Sequence, residues 1–577
     1  MRPYRLFALA FGAAALVTGC GPSVPDIGGP ADLVLLGGRV VTVDPEIPEG
    51  EAVAVRGGRI AAVGTTAAIE GTVGPDTEVV QLEGRLAIPG FIEGHGHFMA
   101  VGQAQRILKL GESPNWAAIV NQVAEAIASA EPGGWIDGRG WHQEKWDEAP
   151  GGAVEGLPHH LGLSEVSPEN PVFLRHASGH AAFANALALE LAGIDRNTPD
   201  PPGGTIVRDA DGNATGALRE TAQRLVGQAR NRALAERTEE EVRAEMELEL
   251  ELAAEESLRK GVTSFQDAGS SFATIDFFRE MAEAGRLPIR LYVMVRGQSN
   301  EEMDARLPDY LMTNHADGFL TVRSIKRQVD GALGAHGAWL LEPYDDMPSS
   351  DGLVLEEVPD IEETARIALE HGFQLNTHAI GDRGNREVLD LYERAFRDAG
   401  VDGAERRFRI EHAQHLHPDD IPRFAELGVI AAMQAVHATS DGPWVPEKLG
   451  DERAESGAYV WRSLLDSGAV VANGTDAPVE DVDPIPSYHA TVTRELADGS
   501  RFYPKEALTR EEALFSYTMA NAFAAFEEDV KGSLTPGKYA DIVVLTRDIL
   551  AVPEDEIRDA TPALTIVGGE IVYRAPE

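Results

Sequence analysis

The sequence predicts an α/β protein, a (β/α)₈ TIM-like barrel with a composite β-sandwich built from both chain ends. Apolar segments of strand length alternate with helical segments through the middle of the 577-residue chain, as expected for parallel strands joined by helices. The number of such units in series favours a closed barrel over an open sheet. Both chain ends carry short apolar segments with Gly-Gly between them, which is typical of hairpins.

The N-terminus has the pattern of a bacterial export signal. A positively charged start precedes an apolar stretch of signal-peptide length, and small residues precede the only cysteine, Cys20. Because "VTGC" resembles a lipobox, we expect residues 1–19 to be a lipoprotein signal peptide and residues 20–31 a lipidated linker. This predicts an exported protein, anchored in the membrane through Cys20 and facing the periplasm or cell surface. A simple secretory signal with an incidental cysteine is the alternative.

The residues after the linker divide into two predicted domains. Residues 32–88 and 527–577 have matching short-strand patterns, so we expect them to form one β-sandwich. Residues 89–526 hold the barrel, with Asp360 expected as the N-cap of one of its helices. The alternation of strands and helices stops between about 112 and 235, and we expect an insertion over the barrel mouth there.

The strongly acidic composition excludes one class of partner. There are 94 Asp and Glu residues against 50 Lys and Arg, a formal net charge of -44. A surface with that charge repels phosphate backbones, so we expect no nucleic-acid partner.

Polar residues at strand ends predict a metal site. His95 and His97 are two apart at the end of a predicted strand, so both side chains point to the same side. If only these two histidines are considered, the alternative is a pair of hydrogen-bonded polar residues in a loop. Other predicted strands also end on residues of this kind, and in a barrel the ends converge on one face. The complete set is His95, His97, Lys326, His378, His412 and Asp476. Imidazole and carboxylate ligands suit Zn²⁺ best, with Mn²⁺ or Fe²⁺ as alternatives.

Lys326 cannot ligate a metal as an ammonium group. A buried lysine loses its proton readily, and the neutral amine can take up CO₂ to form a carbamate that bridges two cations. A salt bridge to the nearby Asp330 is the alternative, and we expect Asp330 to orient Lys326 or a loop.

Several motifs resemble the amidohydrolase superfamily, specifically amidohydrolase family 3, the branch that contains N-substituted formamide deformylase. They include "PGFIEGHGHF", "GVTSFQDAG", "NTHAIGDRG", "RIEHAQ" and "GTDAPVEDVDP", in order from about Asp32 to the C-terminus. The resemblance implies one metal ion on His95, His97 and Asp476. It implies that a carbamylated Lys326 would bridge to a second ion held by His378 and His412, since the family has one-metal and two-metal members.

The expected function is metal-dependent hydrolysis of a non-peptide carbon–nitrogen bond in a small amide. Asp476 would take a proton from the attacking water and return it to the leaving nitrogen. A deaminase or cyclic amidase of the same superfamily is one alternative. A catalytically inactive, substrate-binding surface lipoprotein is the other.

Other residues are candidates for substrate binding. His180 lies in a family motif, with helix capping as the alternative, and His437 follows a predicted strand. Arg494 is a candidate for binding a substrate carboxylate, with a salt bridge as the alternative. Five further histidines are expected in loops or at the surface: His159, His160, His415, His417 and His489.

Overall fold

The computed structural model describes residues 24–143, 146–148, 150–176, 181–202 and 204–576. The predicted signal peptide, Cys20 and His180 lie outside these residues. The chain divides into two compact units, one up to Val101 and from Ala254 onward, the other Gly102–Ala253. Residues 112–235, the predicted insertion, lie within the second unit.

The first unit contains the predicted barrel of eight parallel strands, each paired with the next in chain order. These strands are β1 Phe91–Gly96, β2 Val262–Ser270, β3 Arg290–Val295, β4 Leu320–Gln328, β5 Gln374–Ala379, β6 Arg409–His412, β7 Ile430–Gln434 and β8 Val471–Gly474. Two backbone hydrogen bonds join the ends of β1 and β8, since the Asp476 N–H donates to His95 O and the His97 N–H donates to Ala477 O, both at 2.7 Å. These bonds link the first and last strands where the metal-binding residues were predicted.

Helices connect the barrel strands. Those of the first unit, with the two that cross into the second, are Thr66–Glu70, Phe98–Arg106, Glu239–Arg259, Phe272–Glu283, Asn300–Arg306, His315–Gly318, Val358–His371, Asp382–Ala399, Gly403–Arg406, Ile421–Leu427, Ala435–Asp441, Val445–Leu449, Asp451–Gly457, Trp461–Ser467, Pro484–Thr493, Arg510–Ser516 and Met519–Ala524. Short 3₁₀ turns span Leu307–Asp309, Leu333–Ala335, Pro418–Asp420, Pro504–Glu506 and Glu554–Asp559. The strand Met312–Asn314 pairs antiparallel with β4.

The predicted N-cap at Asp360 is wrong. The helix begins at Val358, with Glu357 as N-cap and Pro359 in its first turn. Proline is favoured at this position because the first helical N–H groups have no intrahelical partner, so Asp360 lies inside the helix.

The two chain ends form a composite β-sandwich. One sheet contains Leu33–Leu36, Ala52–Arg56, Arg59–Gly64 and Glu78–Gln81, and the other contains Arg39–Val41, Glu49–Gly50, Leu86–Pro89, Ile542–Leu545, Pro562–Val567 and Glu570–Arg574. Strand Ile542–Leu545, from the C-terminal part of the chain, pairs antiparallel with Leu86–Pro89. Val53 and Val55 of the first sheet share a buried core with Val544 and Ile566 of the second.

The second unit has its own six-stranded sheet. Its strands are Leu108–Lys109, Ile136–Trp141, Val172–His176, Ala181–Ala184, Gly204–Arg208 and Ala214–Glu220, and its internal helices are Trp116–Ile127, Leu161–Val166, Ala186–Leu191 and Gln223–Ala235. Trp141, Phe183 and Leu174 lie in its apolar core. Across the described parts of both units, no helix is long and apolar enough to cross a membrane.

Candidate metal centre

The ends of β1 and β8 bring three predicted ligands together. His97 Nε2 lies 3.3 Å from Asp476 Oδ1, and His95 Nε2 lies 3.7 Å from the same oxygen. The two histidines therefore face one point, as their spacing of two on a strand predicts. Asp476 has a left-handed backbone with φ of 58°, which costs about 1–3 kcal/mol in a non-glycine residue.

β5 and β6 add two more imidazoles to this point. The His412 ring lies 4.6 Å from the His95 ring and 4.4 Å from the His378 ring, measured between centroids. Ligand atoms of His95, His412 and Asp476 all lie within 4.8 Å of one another. The two ligand groups implied by the resemblance therefore form one continuous cluster.

Buried partners on the outer side of the cluster orient two of the imidazoles. His95 Nδ1 contacts Glu411 Oε2, and neither side chain is exposed beyond 1%. Arg409 in turn pairs with Glu411, with Nε 2.7 Å from Oε1. His412 Nδ1 lies 2.7 Å from Gln434 Oε1. These contacts engage Nδ1 of both histidines and orient the rings, the usual arrangement at metal-binding histidines, while Nε2 of His95 faces Asp476 and Lys326.

Glu93 joins β1 to the loop that carries Asp476. Its carboxylate accepts hydrogen bonds from the backbone N–H of His95 at 3.1 Å and of Thr475 at 2.7 Å, and from the Thr475 hydroxyl at 2.9 Å. Burial raises the Glu93 pKa to about 8. Gly474 leaves the space for this carboxylate, since a Cβ there would lie 2.4 Å from Glu93 Oε1.

Burial favours the neutral form of three of the clustered imidazoles, those of His95, His378 and His412. It lowers the pKa of His95 to about 4, with the Lys326 charge adding to the effect. Burial also lowers the pKa values of His378 and His412 well below their usual range. Asp476 behaves differently: burial opposes its ionisation, but the adjacent His97 imidazole, with Nε2 3.3 Å from Oδ1, keeps the Asp476 pKa below the usual range. Neutral imidazoles around an ionised carboxylate are the form that binds a cation.

Lys326 reaches the cluster from β4. Its Nζ lies 3.1 Å from His95 Nε2, and burial lowers its pKa to about 8. Asp330 instead accepts hydrogen bonds from the backbone N–H groups of Trp339, Ile380 and Gly381 at 2.8 to 2.9 Å. Asp330 thus fixes two loops, one of which follows His378 on β5.

The residues fit a divalent metal ion. Asp476 Oδ1 and His378 Nε2 are buried atoms without a hydrogen-bond partner among the described residues. Such buried polar atoms are costly unless a ligand satisfies them. Several imidazoles with a carboxylate are a donor set typical of Zn²⁺.

The other predicted contacts have different surroundings. His437 adjoins the cluster, with its ring stacked on that of His412 at 6.4 Å between centroids. Arg494 is fully buried, and it donates hydrogen bonds to the backbone carbonyls of Phe502 at 2.5 Å and Tyr459 at 3.0 Å. Its guanidinium group therefore holds protein backbone together, and we assign it a structural role in place of the expected substrate contact.

The expected loop position is confirmed for His415, which lies in the loop after β6, whereas the expected loop or surface position of His489 is wrong. Both side chains are buried, since the two residues are only 2% and 1% exposed. The backbone N–H of His415 donates to Ile380 O, which draws this loop into the interior, and the His415 ring packs edge-on against Tyr459. His489 lies in the mostly buried helix Pro484–Thr493.

Sequence reasoning missed Glu93, Glu411 and Gln434. A signal existed for two of them, because Glu93 is two residues before His95 on the same strand, and Gln434 ends a barrel strand. Glu411 had no comparable signal, since its partner His95 is 316 residues away along the chain.

The structure combines a parallel (β/α)₈ barrel with histidines and an aspartate clustered at the strand ends. This combination is typical of metal-dependent hydrolases. The sequence profile described as "Amidohydrolase family" matches residues 78–573. The chain belongs to this amidohydrolase family.

Three similar proteins illustrate the family. "Protein LONG AFTER FAR-RED 3" of Arabidopsis thaliana is 34% identical over 567 residues, 95% of this chain and 93% of its own. "N-substituted formamide deformylase" of Arthrobacter pascens is 30% identical over 553 residues, 94% and 98% of the two chains. The crystal structure of an uncharacterized metal-dependent hydrolase from Pyrococcus horikoshii is 25% identical, with a TM-score of 0.70 over 91% of this chain and 99% of that one.

Proposed function

We propose that the protein hydrolyses the carbon–nitrogen bond of a linear, non-peptide amide of the N-acyl or N-formyl type. The observation that carries this proposal is the cluster of neutral buried imidazoles around the ionised Asp476. The likeness to N-substituted formamide deformylase extends over 98% of that protein, which supports an amide, and a formamide in particular, as substrate.

His95, His97, His378, His412 and Asp476 would hold one or two divalent ions, preferably Zn²⁺. Such an ion supplies a Lewis acid and lowers the pKa of water towards neutrality. Asp476 Oδ1 then takes the proton of the attacking water as the water oxygen bonds to the carbonyl carbon. Asp476 returns that proton to the leaving nitrogen as the carbon–nitrogen bond breaks, which releases a carboxylic acid and an amine.

Lys326 is proposed to carry a carbamate. Burial lowers the Lys326 pKa to about 8, which increases the fraction of neutral amine. The nitrogen of the neutral amine attacks CO₂ and loses one proton to give the carbamate anion. The alternative, a salt bridge to Asp330, has less support because that carboxylate is engaged by three backbone N–H groups.

The test is product analysis with zinc-loaded protein and a panel of N-substituted formamides and N-acyl amines. Release of formate or another acid together with an amine supports the proposal, whereas ammonia would indicate the deaminase alternative. The Asp476→Asn variant should lose hydrolysis, while Asp466→Asn, a control at an exposed ion pair with Arg462, should retain it. Substrate binding without turnover in the wild type would indicate the inactive binding lipoprotein.

We also propose export and anchoring through a lipid on Cys20, supported by the lipobox-like "VTGC". Membrane fractionation and metabolic labelling with a radioactive fatty acid test this. The wild type should be labelled and sediment with membranes, and Cys20→Ala should do neither. An unlabelled wild type would leave the simple secretory signal as the explanation.

A further inference from the structure

The Glu93 side chain has no part in the reaction steps above, although it lies between two segments that carry the metal cluster. One segment is β1, which contains Glu93 and His95, and the other follows β8 and contains Thr475 and Asp476. Glu93 is only 1% exposed, so it is not accessible to a substrate. Any role in the reaction must therefore be exerted through the residues that it contacts.

Three hydrogen bonds make Glu93 a bridge between these segments. Oε1 contacts the backbone N–H of His95 at 3.1 Å and of Thr475 at 2.7 Å, and Oε2 contacts the Thr475 hydroxyl at 2.9 Å. The N–H groups can only donate, and a hydroxyl can donate to a carboxylate or accept from a carboxylic acid. The bridge therefore forms in either protonation state of Glu93. Thr475 is held at two points and His95 at one, and we call the pair Glu93 and Thr475 the strut.

The strut holds the residue that precedes a strained one. Asp476 has a left-handed φ of 58°, and a conformation of this kind persists only where the surrounding structure fixes the backbone. The Asp476 N–H donates to His95 O at 2.7 Å, and the strut fixes the residue just before it. The direction of the Asp476 side chain, whose Oδ1 lies 3.3 Å from His97 Nε2, follows from this backbone conformation.

Gly474, the residue before the strut on β8, is held as well. A Cβ on Gly474 would lie 2.4 Å from Glu93 Oε1, so the carboxyl group can approach only because this residue is a glycine. The Tyr517 hydroxyl donates to Gly474 O at 3.0 Å. The backbone from Gly474 to Asp476 is thus held at three consecutive residues, and it cannot shift without breaking a buried hydrogen bond.

We propose that Glu93 and Thr475 are positioning residues, which act through the backbone to set Asp476 Oδ1 for metal binding and proton transfer. The inference deepens the proposed function and rests on it, because Asp476 is the residue assigned to take the proton of the attacking water. A misplacement of about 1 Å can cost about 100-fold in rate. The strut supplies the backbone restraint that this precision requires.

The test compares Thr475 variants with a matched pair of residues away from the cluster. Glu506 is 4% exposed and accepts from Ser463 in the same two ways, from the backbone N–H at 3.0 Å and from the hydroxyl at 2.8 Å. These residues lie in the 3₁₀ turn Pro504–Glu506 and the helix Trp461–Ser467, which carry no predicted metal ligand. Ser463→Ala therefore removes an equivalent hydroxyl contact, and Thr475→Val removes the one in the strut.

Zinc affinity of the full chain, measured against a competing chelator, is the first readout. We expect Thr475→Val to bind zinc at least about tenfold more weakly than the wild type. Thr475→Ser, which restores the hydroxyl, and the control Ser463→Ala should match the wild type. Glu93→Ala should show an equal or larger loss, with Glu506→Ala as its control, and Thr475→Val keeps the test decisive where Glu93→Ala does not fold.

Hydrolysis of an N-formyl amide at saturating zinc is the second readout. In Thr475→Val, kcat should fall at least about tenfold while KM changes by less than about twofold, and Thr475→Ser should restore kcat. Wild-type zinc affinity in Thr475→Val, or an equal loss in Ser463→Ala, would overturn the positioning role. Weaker zinc binding by Thr475→Val without amide hydrolysis by the wild type would contradict the proposed reaction alone. Amide hydrolysis that is unaffected in Thr475→Val would contradict the positioning role alone.

Discussion

Glu411 is expected to stabilise both the metal centre and the barrel interior. The Glu411→Gln substitution keeps the shape of the side chain but removes the charge that faces His95 and Arg409. Arg409 and Glu411 are both fully buried, and removal of one partner from a buried ion pair costs roughly 3–5 kcal/mol. Arg409 keeps its hydrogen bonds to Gln266 and to the Gly94 carbonyl in this variant. Because these partners compensate part of the Arg409 charge, we expect the free energy of unfolding to fall by about 3 kcal/mol, the lower end of that range.

The same substitution should weaken zinc binding, because loss of a carboxylate that orients a metal-binding histidine typically costs about 10–100-fold in affinity. Urea denaturation of the metal-free protein measures the first effect, and zinc titration against a competing chelator measures the second. The matched control is Glu362→Gln, at an ion pair in which the Arg394 guanidinium donates to the two Glu362 oxygens at 2.9 and 3.0 Å and both side chains are 37% exposed. This substitution should lower the free energy of unfolding by no more than about 1 kcal/mol. A Glu411→Gln protein that binds zinc like the wild type and loses no more stability than this control would contradict both roles of Glu411.

Two further predictions concern other buried positions. Burial lowers the pKa of His415 to about 3 in the folded protein, whereas the pKa in the unfolded chain is near 6.5. Between these two values only the unfolded chain binds the proton, so the free energy of unfolding decreases as the pH is lowered. His415→Phe removes this titratable group. From pH 7.5 to pH 5 the free energy of unfolding of the wild type should therefore decrease by about 2 kcal/mol more than that of the variant. Parallel pH profiles of the two proteins, measured by urea denaturation, would contradict this prediction. Gly474→Ala would place a Cβ 2.4 Å from Glu93 Oε1 and 2.7 Å from the His95 backbone nitrogen, so we expect about 1–3 kcal/mol of destabilisation and weaker zinc binding. The control Gly227→Ala, in a helix with open space around it, should be neutral or stabilising, and equal effects of the two substitutions would be evidence against the crowding argument.

Periodic patterns predicted much of the fold and the residues that cluster at the strand ends. The alternation of apolar strands and helices was sufficient for the barrel, and the polar residues that end β1, β5 and β6 were sufficient for its histidines. The strand β3 Arg290–Val295 is a continuous buried run, RLYVMV, and none of the predicted site residues lies at its end. A run of this kind has no periodic feature that distinguishes it from other buried segments.

Contacts between distant parts of the chain could not be predicted in this way. Two such contacts are the pairing of His95 with Glu411 and the hydrogen bond from buried Arg494 to the Tyr459 carbonyl. Both form only when separate elements pack together. Arg494 shows the consequence, because an arginine in a predicted active-site region has the same local sequence signal whether it binds a substrate or supports the backbone. The tertiary environment decides between these roles.

The most direct test of the account is the metal content of the purified protein, measured by elemental mass spectrometry. The wild type, reconstituted with zinc and bicarbonate, should retain a stoichiometric amount of zinc after gel filtration, and His95→Ala, His412→Ala and Asp476→Asn should lose most of it. A second equivalent that disappears in Lys326→Ala would support the carbamate bridge. Asp466→Asn should match the wild type. Absence of bound metal from the reconstituted wild type, with the protein folded, would contradict the metal centre and the hydrolysis proposed to depend on it.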